Sequence, residues 1–115
     1  MWILLLLQLI FFINGIIASV LFDFGLMHSF TSPVFAMKLE QILEKLSTKY
    51  SVFILPGEVL ESNTILKSCS VEIKGRTMFV DLVVLDIKSF EMVLGMDWLS
   101  KNRAIIDCHK NMVVF

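Results

Sequence analysis

Of the five aspartates in the chain, one sits where an acid is hard to place. In Val20-Leu21-Phe22-Asp23-Phe24-Gly25 an apolar strand runs straight into the carboxylate of Asp23, and a glycine follows two residues on. A carboxylate at the end of a buried strand is costly unless it is hydrogen-bonded or used for chemistry. The glycine allows a sharp turn and a close approach of backbone to the acid. Taken alone, Asp-x-Gly reads first as a turn-capping aspartate and only second as a general acid or base.

Other reactive side chains read more simply. His28 and Ser29 are adjacent, and neighbours on one chain rarely face each other as a base and its nucleophile do, so both read as structural. Cys69 and Cys108 lie 39 residues apart, which is neither a zinc knuckle nor a disulfide-dense framework. Cys108 stands beside His109 without further ligands nearby. His109 therefore reads as a turn residue, both cysteines as reduced and structural, and no metal site or cofactor is expected. Trp98 reads as a core anchor.

These residues belong to a chain of 115 residues, 57% apolar and 18% charged, with a net charge of −1. That length builds one domain. The near-neutral charge excludes a dedicated nucleic-acid binder, and the apolar fraction excludes disorder.

The elements that must position Asp23 begin in a stretch without charge, since none of the first 22 residues is ionisable. As a helix it would span about 33 Å and could cross a bilayer core of ~30 Å. As a signal peptide it lacks a basic start and a good cleavage pattern. Asn14-Gly15 points instead to a tight hairpin, because both central positions of a type I′ turn need positive φ. The flanking Ile10 to Ile13 and Ile16 to Phe22 are β-prone, so two strands are expected. Residues 1–9 are an apolar lead of uncertain role, and the domain is expected over 10–115.

Ser32-Pro33 predicts a helix start. Phe35, Leu39, Ile42, Leu43 and Leu46 then recur at helical spacing, so one amphipathic helix is expected to end near Ser47. Tyr50 to Leu55, Val59 to Ile73 and Thr77 to Leu85 read as strands, with turns at Pro56-Gly57 and Lys74-Gly75-Arg76. Val93-Leu94-Gly95 is a further apolar fragment, and Asp97 is placed to cap a short helix through Lys101. Ala104 to Ile106 and Met112 to Phe115 bracket a last hairpin. Many short strands and one good helix make a compact, mainly-β domain.

The segment Asp23-Phe24-Gly25-Leu26-Met27-His28-Ser29-Phe30-Thr31-Ser32 resembles the active-site segment of retropepsin-like aspartic proteases of gypsy-type LTR retrotransposons, which reads Asp-Ser-Gly-Ala-Thr-His-Ser-Phe-Ile-Ser. Val93-Leu94-Gly95-Met96-Asp97-Trp98-Leu99 resembles that family's second signature. The resemblance covers about Ile10 to Phe115. It implies a small closed β-barrel, Asp23 as the catalytic acid, an active-site loop through Phe24, Gly25 and Leu26, and Pro56-Gly57 near the tip of a substrate-covering flap. It implies a mechanism in which two carboxylates share one proton. Only Asp23 sits in Asp-x-Gly, so one chain supplies half a dyad and a symmetric homodimer is required. The implied substrate is a polypeptide, with polyprotein processing as the family's task.

This copy departs from the pattern at Phe24, where the family has Ser or Thr, at Leu26, where it has Ala, and at Met27, where it has Thr. The lost hydroxyl leaves a partner unpaired at roughly 1–3 kcal/mol per site. The added bulk is expected to overpack at about 1–3 kcal/mol for each site. A decayed or fragmentary, catalytically impaired copy is expected, with the apolar lead standing where the rest of a polyprotein would be. The expected location is intracellular. The alternative is a small non-enzymatic protein held at a membrane, which requires a helix over residues 9–22.

Overall fold

In the computed structural model, residues 8–55, 58–73, 75–88, 90–103, 105–107 and 112–114 are described. The chain opens with a hairpin. Strand β1 (Gln8–Ile13) pairs antiparallel with β2 (Ile16–Phe22), from Gln8 opposite Leu21 to Ile13 opposite Ile16. Asn14 and Gly15 turn the chain at φ 49° and 80°, the positive pair that a type I′ turn needs. The Asn14 side chain also accepts from the Ser70 backbone N–H at 2.9 Å, tying the turn to the far side of the molecule. The helix required by the membrane-held alternative is therefore absent over residues 8–22, and among the described residues no helix is long and apolar enough to cross a membrane.

Seven further strands follow: β3 (Ser29–Thr31), β4 (Glu44–Leu55), β5 (Glu58–Ile73), β6 (Arg76–Val84), β7 (Met92–Leu94), β8 (Ile105–Asp107) and β9 (Met112–Val114). β2 pairs parallel with β7, β7 antiparallel with β3, β3 parallel with β6, and β6 antiparallel with β5. β5 returns to β1 through Phe12 opposite Glu72 and Ile13 opposite Val71. The ring β1-β2-β7-β3-β6-β5 is thus a closed six-stranded barrel. Closure removes the exposed edges that an open sheet of this size would leave. β4 lies outside the ring and extends it from β5 alone. β8 and β9 form a separate two-stranded sheet. The mainly-β barrel expected from the sequence is the fold observed.

Among the described residues, two apolar clusters form the core. The larger packs Phe11, Val20, Phe22, Leu66, Val71, Leu82, Leu94, Trp98 and Leu99, with the Phe22 and Trp98 rings stacked at 6.1 Å between centroids. The smaller joins Phe30, Ile65, Val83 and Leu85 of the barrel side to Val52 of β4, with Leu46 and Tyr50 against it.

The helices differ from expectation. α1 spans Pro33–Lys38, starting as predicted with Ser32 as its cap, but it stops well short of Ser47. Leu39 closes it and is buried, and Glu40 reverses the chain at φ 52°. Ile42 is left 83% exposed, and Leu46 faces the smaller cluster from β4, which begins at Glu44 rather than near Tyr50. The apolar residues at helical spacing thus serve two different elements. α2 spans Met96–Lys101, and its cap position is Gly95, not Asp97, which lies within the first turn. Pro56-Gly57, Cys108, His109 and the last hairpin's turn lie outside the described residues.

Candidate active site

Asp23 sits where β2 ends. Its backbone N–H donates to the Leu94 carbonyl at 2.9 Å, the last bond of the parallel β2–β7 pairing. Its carboxylate Oδ1 accepts from the Gly25 N–H at 2.8 Å, folding the acid over its own turn. A Cβ at residue 25 would stand 3.1 Å from that oxygen, so glycine leaves room for the carboxylate. Asp23 is half-buried.

The loop that follows is held from below. The Met96 and Asp97 N–H groups donate to the carbonyls of Leu26 and Met27 at 2.7 and 3.1 Å. Ser29 is fully buried; its Oγ donates to Asp97 Oδ1 at 2.7 Å and accepts from the Gly95 N–H at 3.0 Å. A Cβ at Gly95 would lie 2.2 Å from the His28 carbonyl oxygen and 2.7 Å from that of Leu26. Backbone passes backbone there, and only glycine fits. The structure therefore lays Val93-Leu94-Gly95 directly beneath the Asp23 loop, although about seventy residues separate them in sequence.

The remaining loop residues find apolar or aromatic neighbours. Phe24 is half-buried against the larger cluster and Leu26 against the smaller one. Each bulky side chain thus lies partly buried at the edge of a cluster, where the family pattern has a smaller one. Met27 is 70% exposed. The exposed His28 ring meets Tyr50 of β4 edge-on, centroids 4.6 Å apart, so the loop touches the β4–β5 arm. Ser29 and His28 make separate contacts and form no nucleophile–base pair, in line with their structural reading.

Sequence reading missed two supports. The first is the Ser29–Asp97 bond, since by sequence Asp97 reads as a helix cap; that both residues lie inside the two signatures is the available signal. The second is Glu91, whose carboxylate accepts from the Ser19 N–H at 2.9 Å while its carbonyl accepts from the Thr31 hydroxyl at 2.9 Å. It braces β2 against β3.

Chemically, the chain presents the Asp23 carboxylate here, anchored by the Gly25 N–H. Asp97 Oδ1 accepts from the Ser29 hydroxyl and from the Trp98 N–H, so it ties the loop to α2. Among the described residues there is no cluster of three or more His, Cys, Asp or Glu able to hold a metal ion.

Comparison with known proteins bears on this arrangement. The chain is similar in fold to the EIAV protease solved with the inhibitor HBY-793, at 23% identity and a TM-score of 0.69, over 87% of this chain and 90% of that one. It is also similar in fold to the retroviral protease-like domain of Ddi1 from Leishmania major, at 15% identity and a TM-score of 0.76, over 99% of this chain and 90% of that one. No curated protein matches its sequence. A family model, that of the retroviral aspartyl protease, matches residues 5–115. With nearly the whole chain matched and the barrel in agreement, the chain belongs to the retroviral aspartyl protease family.

Proposed function

We propose that the chain is an aspartic endopeptidase domain of LTR-retrotransposon type, of the gypsy group, that works inside the cell as a homodimer and is catalytically impaired in this copy. The observation that carries the reading is Asp23, a single carboxylate presented at the end of a barrel strand and held by the Gly25 N–H. Two such protomers related by a two-fold axis would set the two carboxylates side by side. Like charges that close cannot both ionise, so the pair holds one proton. The ionised member takes a proton from a water as it attacks the scissile carbonyl of a polypeptide, and the protonated member donates to the carbonyl oxygen. The β4–β5 arm, which carries Pro56-Gly57 between its strands, is suited to cover an extended substrate.

Impairment is argued from Phe24. A hydroxyl in this position would bond across the dimer and hold the two loops in register; Phe offers none and turns its ring to the core. Displacement of a reacting group by ~1 Å can lower a rate about 10²-fold. The test is cleavage of a peptide library by the unmodified chain, Phe24→Ser/Leu26→Ala, and each of these with Asp23→Asn. The unmodified chain is expected to cleave little or nothing. The double variant is expected to recover part of the activity with an acidic optimum, and Asp23→Asn to abolish it. Robust cleavage by the unmodified chain would remove the impairment, and cleavage that survives Asp23→Asn would remove the aspartic mechanism.

A further inference from the structure

We infer that Ser29 and Asp97 are positioning residues for Asp23, a side-chain clamp that fixes the loop after the acid onto the first turn of α2. The inference rests on the reading of Asp23 as the catalytic acid.

A helix start leaves its first N–H groups without partners inside the helix. α2 has no side-chain cap at Gly95. The groups are satisfied instead by the loop: Met96 N–H by the Leu26 carbonyl, Asp97 N–H by the Met27 carbonyl, and the Gly95 N–H just ahead of them by Ser29 Oγ. The dependence is reciprocal. The loop carbonyls cap the helix, and the helix start sets the path of the loop.

Backbone bonds alone would let this segment slide or peel, because each carbonyl is equally well served by water once the loop lifts. Ser29 prevents that. Its hydroxyl accepts from Gly95 and donates to Asp97 Oδ1 at 2.7 Å, a hydrogen bond to a charged acceptor, and the residue is fully buried. Lifting the loop would leave both the hydroxyl and the Gly95 N–H to find new partners. Asp97 Oδ1 also accepts from the Trp98 N–H at 2.8 Å, and Trp98 is locked in the core against Phe22, the residue before Asp23. The clamp thus links the two ends of the Asp23 segment. One end is tied at Asp23 N–H to Leu94, and the other at Ser29 to Asp97.

The experiment uses the full chain with Ser29→Ala, Ser29→Thr, Asp97→Ala and Asp97→Asn. Amide hydrogen exchange is read first, since it needs no activity. Ser29→Ala and Asp97→Ala are expected to speed exchange at Gly25, Met96 and Asp97 or its replacement by at least about tenfold, the scale of one lost buried hydrogen bond. Exchange at Val71 and Leu82 in the barrel is expected to stay unchanged. Ser29→Thr and Asp97→Asn, which keep the hydroxyl and the acceptor oxygen, are expected to restore slow exchange. Asp97 is exposed, so its variants decide the matter if Ser29→Ala fails to fold. Unchanged exchange at the loop, or equal acceleration throughout the barrel, would overturn the clamp. Asp97→Asn behaving like Asp97→Ala would overturn its hydrogen-bond basis.

The second reading repeats the four changes in Phe24→Ser/Leu26→Ala. There kcat is expected to fall about tenfold or more in the two alanine variants while KM stays within about twofold, with recovery in the conservative pair. A rise in KM alone would overturn the positioning role. If that double variant cleaves no peptide, the assignment of peptidase function fails, and the exchange data still decide whether the clamp exists.

Discussion

At the scale of single residues, two glycines near Asp23 have different duties, and substitution separates them. Gly95→Ala drives a Cβ into two carbonyl oxygens at 2.2 and 2.7 Å, both backbone, so neither can swing aside. It is expected to destabilise the fold by about 3 kcal/mol or more, in the range of severe overpacking. Gly25→Ala meets only the Asp23 carboxylate at 3.1 Å, a side chain able to yield by a few tenths of an ångström. Its cost to stability is expected to be about 1 kcal/mol or less, with the penalty falling on peptide cleavage by the rescued variant instead. Urea unfolding of the two variants checks the contrast. Cys69 gives a second expectation. Burial first, and the nearby Asp81 charge second, push its thiol from 9.0 up to about 12. The folded state therefore keeps the proton after the unfolded chain has lost it. The Cys69 contribution to stability is constant below about pH 9, falls as pH rises from there toward about 12, and then levels off. Cys69→Ala is expected to flatten that alkaline fall, read as unfolding midpoint against pH.

At the scale of elements, α1 shows how local signals end. Ser32 Oγ accepts from the Phe35 N–H at 3.1 Å, and Ser32→Ala is expected to lower stability by about 1 kcal/mol. The apolar stripe beyond Lys38 looks helical only on paper. Leu39 is buried, whereas Ile42 is 83% exposed after the reversal at Glu40. Leu39→Ala is expected to cost about 2–5 kcal/mol, as for a core leucine. Ile42→Glu is expected to change stability by about 0.5 kcal/mol or less. A continuous helix to Ser47 would make both losses large, so thermal melts of the two variants discriminate. The reversal is held by tertiary bonds. The Gln41 side chain donates to the Lys67 carbonyl and accepts from Asn14 Nδ2 at 2.9 Å and from the Cys69 thiol at 3.2 Å.

At the scale of the whole molecule, one barrel carries one Asp-x-Gly, and several large apolar side chains are left exposed. Met27 on the loop is exposed, and so are Phe53 and Val59, which face each other across the β4–β5 arm. On the homodimer reading, association is expected to cover part of this apolar surface. A net charge of −1 sets little repulsion against self-association. Sedimentation equilibrium of the full chain is expected to show monomers in exchange with dimers, and Phe24→Ser is expected to shift the balance toward dimer by restoring the hydroxyl at the axis. A folded chain that stays strictly monomeric at high concentration would count against the dimeric active site.

Residue order alone dictates local chemistry. Asn14-Gly15 dictates a tight turn because few residues tolerate positive φ at both positions. Ser32-Pro33 dictates a helix start, and the apolar run into Asp23-Phe24-Gly25 places an acid at a strand end. The two signatures marked which residues belong to one site, but not how they meet. That was decided by the tertiary structure. Leu94 takes the Asp23 N–H, Asp97 takes the Ser29 hydroxyl, and Gly95 lies under two loop carbonyls only because β7 inserts between β2 and β3. The end of α1 was likewise decided from outside, by the partners Gln41 finds on β5 and the first hairpin. Spacing along a chain records which face a side chain prefers in a given element; it does not record which element a distant partner will impose.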